Sequence, residues 1–243
     1  MPDPIFADAR LAAIYDPLEG DRKDLDLYVG LLSELGARTV VDLGCGTGSL
    51  ALRLAGRGIR VLGVDPAEAS LDVARAKPGA DQVEWLHGDA RDLAGVGADA
   101  AVMTGNVAQA IVGADDWDAA LAGVRRAVRP GGHLVFETRE PADEGWTRWD
   151  REQTQAVTHI AGLGSVESWV DLLEVALPLV RFRWTYVFGE GDEVLTSDST
   201  LRFRGRDEVE ADLDRHGFTV LEVRDAPDRP GRELVFVARR QPG

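Results

Sequence analysis

Hydrophobic residues between positions 39 and 138 form two kinds of run that alternate along the chain. Short runs rich in β-branched residues predict buried strands, because such side chains pack well on a pleated surface. The stretches between them repeat apolar residues at helical spacing, and strands alternating with helices are typical of a parallel sheet. The predicted strands are 39–43, 60–65, 83–87, 98–103 and 133–138, and the predicted helices are 24–35, 49–57, 67–77 and 117–128.

The period of the apolar residues changes near residue 152 from helical spacing to strict alternation. The antiparallel strands predicted there are 153–160, 166–177, 179–188 and 194–204, with a hairpin turn at Gly189, Glu190, Gly191 and Asp192. The chain then returns to a helix over 207–216 and two strands at 218–224 and 233–239. We therefore expect a seven-stranded, doubly wound α/β sheet from residues 1–151 and 205–243, with an antiparallel β-layer inserted over 152–204.

Composition narrows the possible partners. Of the 243 residues, 44 % are hydrophobic, and 27 Lys and Arg against 42 Asp and Glu give a net charge of −15. Such a field repels nucleic acid and anionic membrane surfaces. No uncharged apolar run reaches the roughly 18 residues of a membrane helix and residues 1–4 form no basic leader, so we expect a cytoplasmic protein. A single cysteine and four scattered histidines predict neither a disulfide nor a metal site.

A glycine-rich turn from Asp42 to Gly48 lies between the first predicted strand and its helix. Its glycines are spaced GxGxG, and Ser49 stands where the dinucleotide fingerprint GxGxxG would have its third glycine. The dinucleotide fold binds a pyrophosphate at this helix terminus. A GxGxG turn instead lets an uncharged adenosyl group approach the backbone, with Asp42 placed to meet a cationic amine. The turn therefore favours an adenosyl ligand over a nicotinamide dinucleotide.

Two further acids end neighbouring strands. Asp65 closes the second predicted strand and can accept hydrogen bonds from two ribose hydroxyls, whereas Asp89 follows the third and can accept from an adenine amine. The carboxyl ends of parallel strands meet at one edge of a sheet, where open α/β sheets bind ligands. An aspartate after a strand also commonly caps a turn, so both acids have a structural alternative.

Taken together, these motifs resemble the class I S-adenosylmethionine-dependent methyltransferases, in particular members that act on small molecules. The matching positions are 40–50 as the family's first motif, Asp65 and Pro66 at its ribose position, Gly88 to Ala90 at its adenine position, and Arg129 to Gly132 before the fifth strand. The resemblance implies a Rossmann-like fold, S-adenosylmethionine as cofactor and S-adenosylhomocysteine as product. It further implies that Gly44 and Gly46 line the methionine and ribose.

The cofactor-binding residues that we expect are Tyr15, Asp42, Gly44, Cys45, Gly46, Asp65, Pro66, Asp89, Ala90, Thr104, Gly105 and Asn106. Three of them have structural alternatives. Tyr15 either covers the methionine carboxylate or packs under the first helix, and Asn106 either contacts the cofactor or caps a helix. Cys45 is interpreted as a small space-filling residue whose backbone touches the ligand.

The residues that would bind or activate the methyl acceptor are less well defined by the sequence. A general base is optional for methyl transfer, and the candidates are Glu137, Glu140 and His159. Arg139 is a candidate for holding an acidic substrate, and Trp149, with Trp146, either closes over the active site or anchors the β-layer. The aromatic residues that alternate along one face of a strand, Phe182, Trp184, Tyr186 and Phe188, either pack inward or line a substrate pocket.

The function expected from these residues is methyl transfer to an oxygen or nitrogen atom of a small molecule, by a monomer or a homodimer. The alternatives are a nucleic-acid methyltransferase, a non-catalytic adenosyl-binding module and, disfavoured by Ser49, a nicotinamide oxidoreductase. We expect the layer over 152–204 to face the substrate and to contribute little to cofactor binding.

Overall fold

The computed structural model describes residues 2–93, 95–189 and 193–242. Its helices are α1 (Pro4–Ala7), α2 (Ala9–Glu19), α3 (Leu25–Glu34), α4 (Ser49–Ala55), α5 (Glu68–Arg75), α6 (Val107–Ala110), α7 (Ala114–Ala127), α8 (Arg151–Thr154) and α9 (Arg206–Arg215). Its strands are β1 (Thr39–Leu43), β2 (Arg60–Asp65), β3 (Val83–His87), β4 (Ala98–Met103), β5 (Val128–Arg139), β6 (Ala156–Ile160), β7 (Gly164–Ala176), β8 (Leu179–Phe188), β9 (Glu193–Arg202), β10 (Phe218–Asp225) and β11 (Glu233–Arg240).

Seven strands form one sheet in the order β10-β11-β5-β4-β1-β2-β3. Strands β1 to β5 are parallel, whereas β11 runs antiparallel to both β5 and β10. The strand order reverses beside β1, which pairs with β2 on one side and with β4 on the other. The doubly wound α/β sheet expected from the sequence is thus confirmed, and its switch point lies at the carboxyl end of β1.

Helices cover both faces of this sheet. On one face, Trp117 and Leu121 of α7 and Leu213 of α9 belong to a buried cluster with residues of β1, β4, β5 and β11. On the other face, α3 and α4 bury leucines against the alternate side chains of the same strands. Within the first of these layers, α7 and α9 are also joined by a polar contact, because the Trp117 indole N–H donates to Asp212 Oδ2 over 2.8 Å.

Two predicted boundaries are wrong at the junction of α7 and β5. The helix was expected to continue to residue 128 and to stop at Pro130, Gly131 and Gly132, but it ends at Ala127 and β5 begins at once. Gly132 explains the early start, since a Cβ there would lie 2.7 Å from the Asp99 carbonyl oxygen of the neighbouring strand. The glycine permits a close approach of backbones, so residues 128–132 extend the strand.

The second sheet is antiparallel, in the order β6-β7-β8-β9. Its first strand begins at Ala156, later than expected, because Asp150 caps the short helix α8 by accepting from the Gln153 N–H at 2.8 Å. The predicted pairing of β8 with β9 is present, whereas Glu190, Gly191 and Asp192 of the predicted turn lie outside the described residues.

The inner face of the second sheet packs on the N-terminal helices. Tyr186, Trp184 and Phe188 belong to one apolar cluster with Leu11 and Ile14 of α2. Of the two roles left open for this aromatic face, the structure shows packing. Helices α1 and α2 were not predicted at all, and Pro17 inside α2 obscures its helical pattern. Across the described residues, no helix combines the length and the apolar character needed to span a membrane.

Candidate functional site

A cleft of ≈ 630 Å³ opens at the switch point, where β1, β2 and β4 end. The expected cofactor residues that line it are Tyr15, Asp42, Gly44, Cys45, Gly46, Asp65, Pro66, Asp89, Ala90, Thr104 and Gly105. The sheet topology therefore brings together residues that are up to 90 positions apart along the chain. Their roles toward a ligand stay predictions, but their shared location is an observation.

Glycine is needed at the positions of the turn for two different physical reasons. Gly44 and Gly48 have φ of +72° and +80°, and a Cβ there would lie 2.4 Å from Val107 and 2.5 Å from Trp85. Packing therefore excludes any side chain at both positions. Gly46 has φ of +52°, but a Cβ on it would meet no atom within 4 Å. The Gly46 backbone faces the open cleft, so a ligand can approach it closely. Gly44 and Gly48 instead face packed side chains.

Cys45 fills space behind the turn. It is buried, and its sulfur would lie 3.1 Å from a Cβ placed on Gly63 of β2. Burial raises the pKa of the Cys45 thiol far above its usual range. The side chain therefore stays a neutral thiol, which agrees with a packing role and not with a nucleophile.

Asp42 carries a carboxylate that the protein itself does not satisfy. Its side chain is 1 % exposed, and among the described residues neither carboxylate oxygen has a hydrogen-bond partner of good geometry. Burial, followed by the charge of the nearby Asp65, raises the pKa of Asp42 to about 7, and a backbone contact from the Ala51 N–H, too poor in geometry to count as a hydrogen bond, opposes this shift only in part. A buried, unpaired carboxylate destabilises the fold unless a donor or a cation reaches it. A cationic amine in the cleft would supply that partner.

Asp65 joins the glycine turn to the start of α5. Its Oδ2 accepts from the Gly46 N–H and its Oδ1 from the Ala67 N–H, both over 2.8 Å. The side chain is 7 % exposed, and burial raises its pKa. Each oxygen keeps a second lone pair, so the carboxylate can hold the turn and still accept from a ligand. The capping role and the ligand role, which the sequence left as alternatives, are compatible in this geometry.

Asp89 occupies the opposite end of the cleft. It caps a short 3₁₀ turn by accepting from the Arg91 N–H at 2.7 Å, and its carboxylate pairs with the Arg91 guanidinium at 2.7 Å. Arg91 also pairs with Asp116 of α7, and all three side chains line the cleft. No sequence pattern identifies Asp116 as a site residue, because its contact with Arg91 joins elements 25 residues apart.

Glu137 and Asn106 lie behind the cleft and do not line it. Glu137 is 4 % exposed and accepts from the Tyr28 hydroxyl at 2.6 Å and from the Asn106 N–H at 2.8 Å. Burial raises the pKa of Glu137 to about 7. Asn106 adopts φ of +67°, and this bond holds its unusual backbone conformation. Glu137 thereby supports the loop that presents Thr104 and Gly105, and it is not positioned as a base.

Arg139 and Trp149 contact each other away from the cleft. The Arg139 Nε–H donates to Asn106 Oδ1 at 3.0 Å, and its guanidinium lies 5.1 Å from the centre of the Trp149 ring. Trp149 also packs against Phe182, with ring centres 4.7 Å apart. Of the two roles left open for Trp149, the structure shows the anchor: the ring joins the loop after β5 to the second sheet.

The remaining base candidates do not reach the cleft either. His159 is exposed on β6, because its neighbour Ile160 takes the inward face and alternation turns the imidazole to the outside. Glu140 accepts from the Ala142 N–H at 3.3 Å and caps a short turn. Neither side chain is placed to act on a molecule bound at the ends of β1 and β2.

Sequence reasoning expected the layer over 152–204 to face the substrate, but it did not identify the residues that form the second wall of the cleft. Its residues come from the N-terminus and from β8 and β9, namely Pro2, Asp3, Phe6, Arg181, Asp198 and Thr200. The charged side chains around the whole cleft are six aspartates (Asp3, Asp42, Asp65, Asp89, Asp116 and Asp198) and three arginines (Arg22, Arg91 and Arg181). This excess of negative charge favours a cationic ligand.

Comparison with known proteins gives a match to a family model over part of the chain and a curated relative. Residues 40–132 match a family model described as a methyltransferase domain. The cypemycin N-terminal methyltransferase of a Streptomyces species is 33 % identical over 147 residues, which cover 59 % of this chain and 60 % of that protein. The chain thus spans about 60 % of the length of this relative.

Two solved structures share the fold over nearly the whole chain. The CcbJ methyltransferase from Streptomyces caelestis superposes with a TM-score of 0.77 at 20 % identity, covering 96 % of both chains. The S-adenosylmethionine-bound CalS10, an amino pentose methyltransferase from Micromonospora echinaspora, has a TM-score of 0.71 at 22 % identity, covering 94 % of this chain and 95 % of that chain. At these identities the likeness concerns the fold alone.

Proposed function

We propose that this chain is a class I S-adenosylmethionine-dependent methyltransferase and that it methylates a small-molecule acceptor. The observation that carries this proposal is the Asp42 carboxylate, which is buried, unpaired and directed into an acidic cleft at the switch point. S-Adenosylmethionine carries a sulfonium and an ammonium group besides one carboxylate, and its net positive charge matches this environment. The residues present therefore fit the cofactor that the family uses.

The proposed cofactor contacts follow the strand ends. Asp42 holds the amine, and the open backbone at Gly46 admits the adenosyl group. Asp65 accepts from the ribose hydroxyls with the lone pairs that its two backbone bonds leave free. Asp89 accepts from the adenine amine, and Ala90 contacts the adenine ring. When bound, the cofactor supplies an electrophilic methyl group at its sulfonium.

The acceptor would bind against the second wall. Arg181 and Thr200 line the same cleft as the glycine turn, so the layer over 152–204 is proposed to serve as a substrate cap. An amine is the acceptor class that the acidic cleft favours, since protonated amines are attracted to it before they lose a proton. CalS10 is named as an amino pentose methyltransferase and the cypemycin enzyme as an N-terminal methyltransferase, and an amine acceptor for this chain is compatible with both names.

The chain's contribution to the reaction is proposed to be positioning, with no dedicated base. Among the described residues that line the cleft, the side chains able to accept a proton are the aspartates and, once ionised, Tyr15 and Cys45. Of the aspartates, Asp42, Asp65 and Asp89 are assigned to the cofactor, and Asp116 and Asp198 pair with arginines. Burial raises the pKa of both Tyr15 and Cys45, so neither ionises near neutrality. Correct placement of two reactants alone can lower a barrier by about 7 to 11 kcal/mol, which is sufficient for attack on an activated methyl group.

Isothermal titration calorimetry tests the cofactor assignment. We expect S-adenosylhomocysteine to bind with a dissociation constant of about 10 μM or less, and NAD to give no heat of binding. Transfer of a labelled methyl group to a panel of amines and alcohols then tests the acceptor class. Binding of NAD without binding of S-adenosylhomocysteine would overturn the proposal, and transfer to alcohols alone would overturn the nitrogen assignment.

A further inference from the structure

A polar cluster connects the N-terminal helix α2 to the glycine turn, and two of its residues, Thr47 and Ser49, line the cleft. The Asp16 Oδ1 atom accepts from the Thr47 hydroxyl at 2.6 Å and from the Ser49 hydroxyl at 3.4 Å. The Asp16 Oδ2 atom lies 2.5 Å from the Lys77 ammonium, which also donates to the Thr47 carbonyl oxygen at 2.6 Å. These four residues, the Asp16 cluster, join α2, the turn and the chain just after α5.

The hydrogen bonds of the Asp16 cluster restrain the backbone of the turn at Thr47. Thr47 stands between Gly46 and Gly48, is 4 % exposed, and is held by both its hydroxyl and its carbonyl. The turn contains three glycines with positive φ, and glycine loses more conformational freedom on ordering than any other residue. A turn that is already ordered before a ligand arrives binds that ligand more tightly, since less entropy is lost on binding.

Helix α2 also carries Tyr15, next to Asp16. Tyr15 precedes Asp16 on α2 and lines the cleft, and it also packs with Leu11 and Ile14 in the apolar cluster of the second sheet. Helix α2 therefore touches the second sheet with one face and the glycine turn with Asp16. No residue of the Asp16 cluster belongs to the expected cofactor set, and Asp16 itself does not line the cleft.

We propose that Asp16 is a positioning residue for cofactor binding, acting through Thr47 and Lys77. It holds the glycine turn in its binding conformation and seats Tyr15 over the cleft. This inference rests on the proposed function, because it takes the adenosyl cofactor as the ligand of the turn. It assigns no chemical step to Asp16.

Calorimetric titration of S-adenosylhomocysteine into four variants tests the inference. Asp16→Ala removes both interactions of the carboxylate and should weaken binding by about tenfold or more. Asp16→Asn keeps an acceptor for Thr47 but loses the attraction to Lys77, and Lys77→Met removes the cation, so each should weaken binding by about three- to tenfold. Arg10→Gln is the matched control, because Arg10 lies on the same helix and pairs with Glu193 of β9, away from the turn.

Hydrogen exchange of the ligand-free proteins gives a second readout that does not depend on activity. Amides of residues 44–50 should exchange faster in Asp16→Ala than in the native protein, and they should be unchanged in Arg10→Gln, whose dissociation constant should stay within about twofold. Should Asp16→Ala not fold, Asp16→Asn and Lys77→Met carry the test.

The outcomes separate the two proposals. If the native protein fails to bind S-adenosylhomocysteine, the proposed function is wrong. If the native protein binds it and the folded Asp16 and Lys77 variants bind within about twofold of the native constant, this inference is wrong while the proposed function stands. If Arg10→Gln weakens binding as much as Asp16→Ala, α2 acts through general stability and the assignment of Asp16 is overturned.

Discussion

The two walls of the cleft satisfy their polar groups in opposite ways. On the wall formed by the ends of β1 and β2, Asp42 is buried without a partner and the turn depends on glycines with positive φ. On the wall formed by β8 and β9, Arg181 pairs with Glu174 and Asp198 pairs with Arg183, and all four side chains are about half exposed. The first wall therefore carries an unsatisfied charge, whereas the second is satisfied without any ligand.

This difference suggests how the two walls recognise their ligands. A rigid wall with an unpaired buried charge favours one ligand of fixed shape and opposite charge, as a cofactor is. Exposed ion pairs contribute little stability and can exchange partners at low cost, as a variable acceptor requires. Substitutions on the first wall should therefore change cofactor affinity, and substitutions on the second should change acceptor use.

The largest expected effect comes from the glycine turn. Gly44→Ala places a Cβ 2.4 Å from Val107 and should abolish measurable binding of S-adenosylhomocysteine while lowering the free energy of unfolding by about 2 kcal/mol or more. Gly46→Ala meets no atom and should cost only about 1 kcal/mol from its positive φ, while still weakening binding. Urea unfolding together with calorimetry checks both variants. If both variants lost the same free energy of unfolding, the assignment of Gly44 to packing and of Gly46 to ligand access would be wrong.

The second expected effect concerns pH and Asp42. The pKa of Asp42 in the fold, about 7, lies above the unfolded value of 3.8, so the fold favours the protonated carboxyl. The stability that protonated Asp42 contributes is lost as the pH rises from about 4 through 7. Asp42→Asn should therefore raise the free energy of unfolding by about 2 to 4 kcal/mol at pH 8 and leave it nearly unchanged at pH 4. Denaturant titrations of the ligand-free proteins at both pH values measure this difference.

The same variant should bind the cofactor more weakly, since an amide cannot neutralise a cationic amine. A variant that is less stable than the native protein at pH 8 would show that Asp42 has a partner in the fold. The first wall would then carry no unsatisfied charge, and it would not differ from the second wall in this respect.

Asp65 should have a smaller effect, confined to the first wall. Asp65→Ala removes bonds to the Gly46 and Ala67 N–H groups as well as the proposed bonds to ribose, so affinity for S-adenosylhomocysteine should fall by at least about tenfold. Circular dichroism verifies the fold, and calorimetry measures the affinity. Native affinity in a folded variant would leave Asp65 with its capping role only.

The smallest effects are expected from the second wall. Arg181→Ala and Thr200→Val should raise the Michaelis constant for the acceptor by about three- to tenfold and leave the cofactor dissociation constant within about twofold. His159→Ala serves as the control, because its exposed imidazole lies outside the cleft and neither constant should change. Steady-state kinetics with a labelled methyl donor distinguishes the variants. If Arg181→Ala also lowered the affinity for the cofactor, the two walls could not be assigned to separate ligands.

Much of the first wall could be predicted from the sequence because its determinants are local. The glycine turn, Asp65 and Asp89 each follow directly after a strand, and the parallel sheet then places all strand ends at one edge. The second wall has no such local pattern. Arg181 and Thr200 reach the cleft only because the second sheet packs on α1 and α2, and that packing depends on contacts across most of the chain.

The same reasoning explains the misplaced candidates. Glu137 ends a strand as a catalytic carboxylate would, but its partner Tyr28 lies 109 residues away and buries it behind the site. Arg139 and Trp149 follow the same strand, and they are drawn together as an anchor for the second sheet. A strand end predicts the edge of the sheet to which a residue belongs; the neighbouring elements decide whether the residue faces the cleft.

A crystal structure of the complex with S-adenosylhomocysteine tests the central claim most directly. We expect the amine near Asp42, the ribose hydroxyls on Asp65 and the adenine beside Asp89 and Ala90, with the sulfur directed toward the wall that carries Arg181 and Thr200. That second wall should remain free of the ligand. An adenosyl group bound against β8 and β9, with Asp42 still unpaired, would contradict the assignment of the two walls.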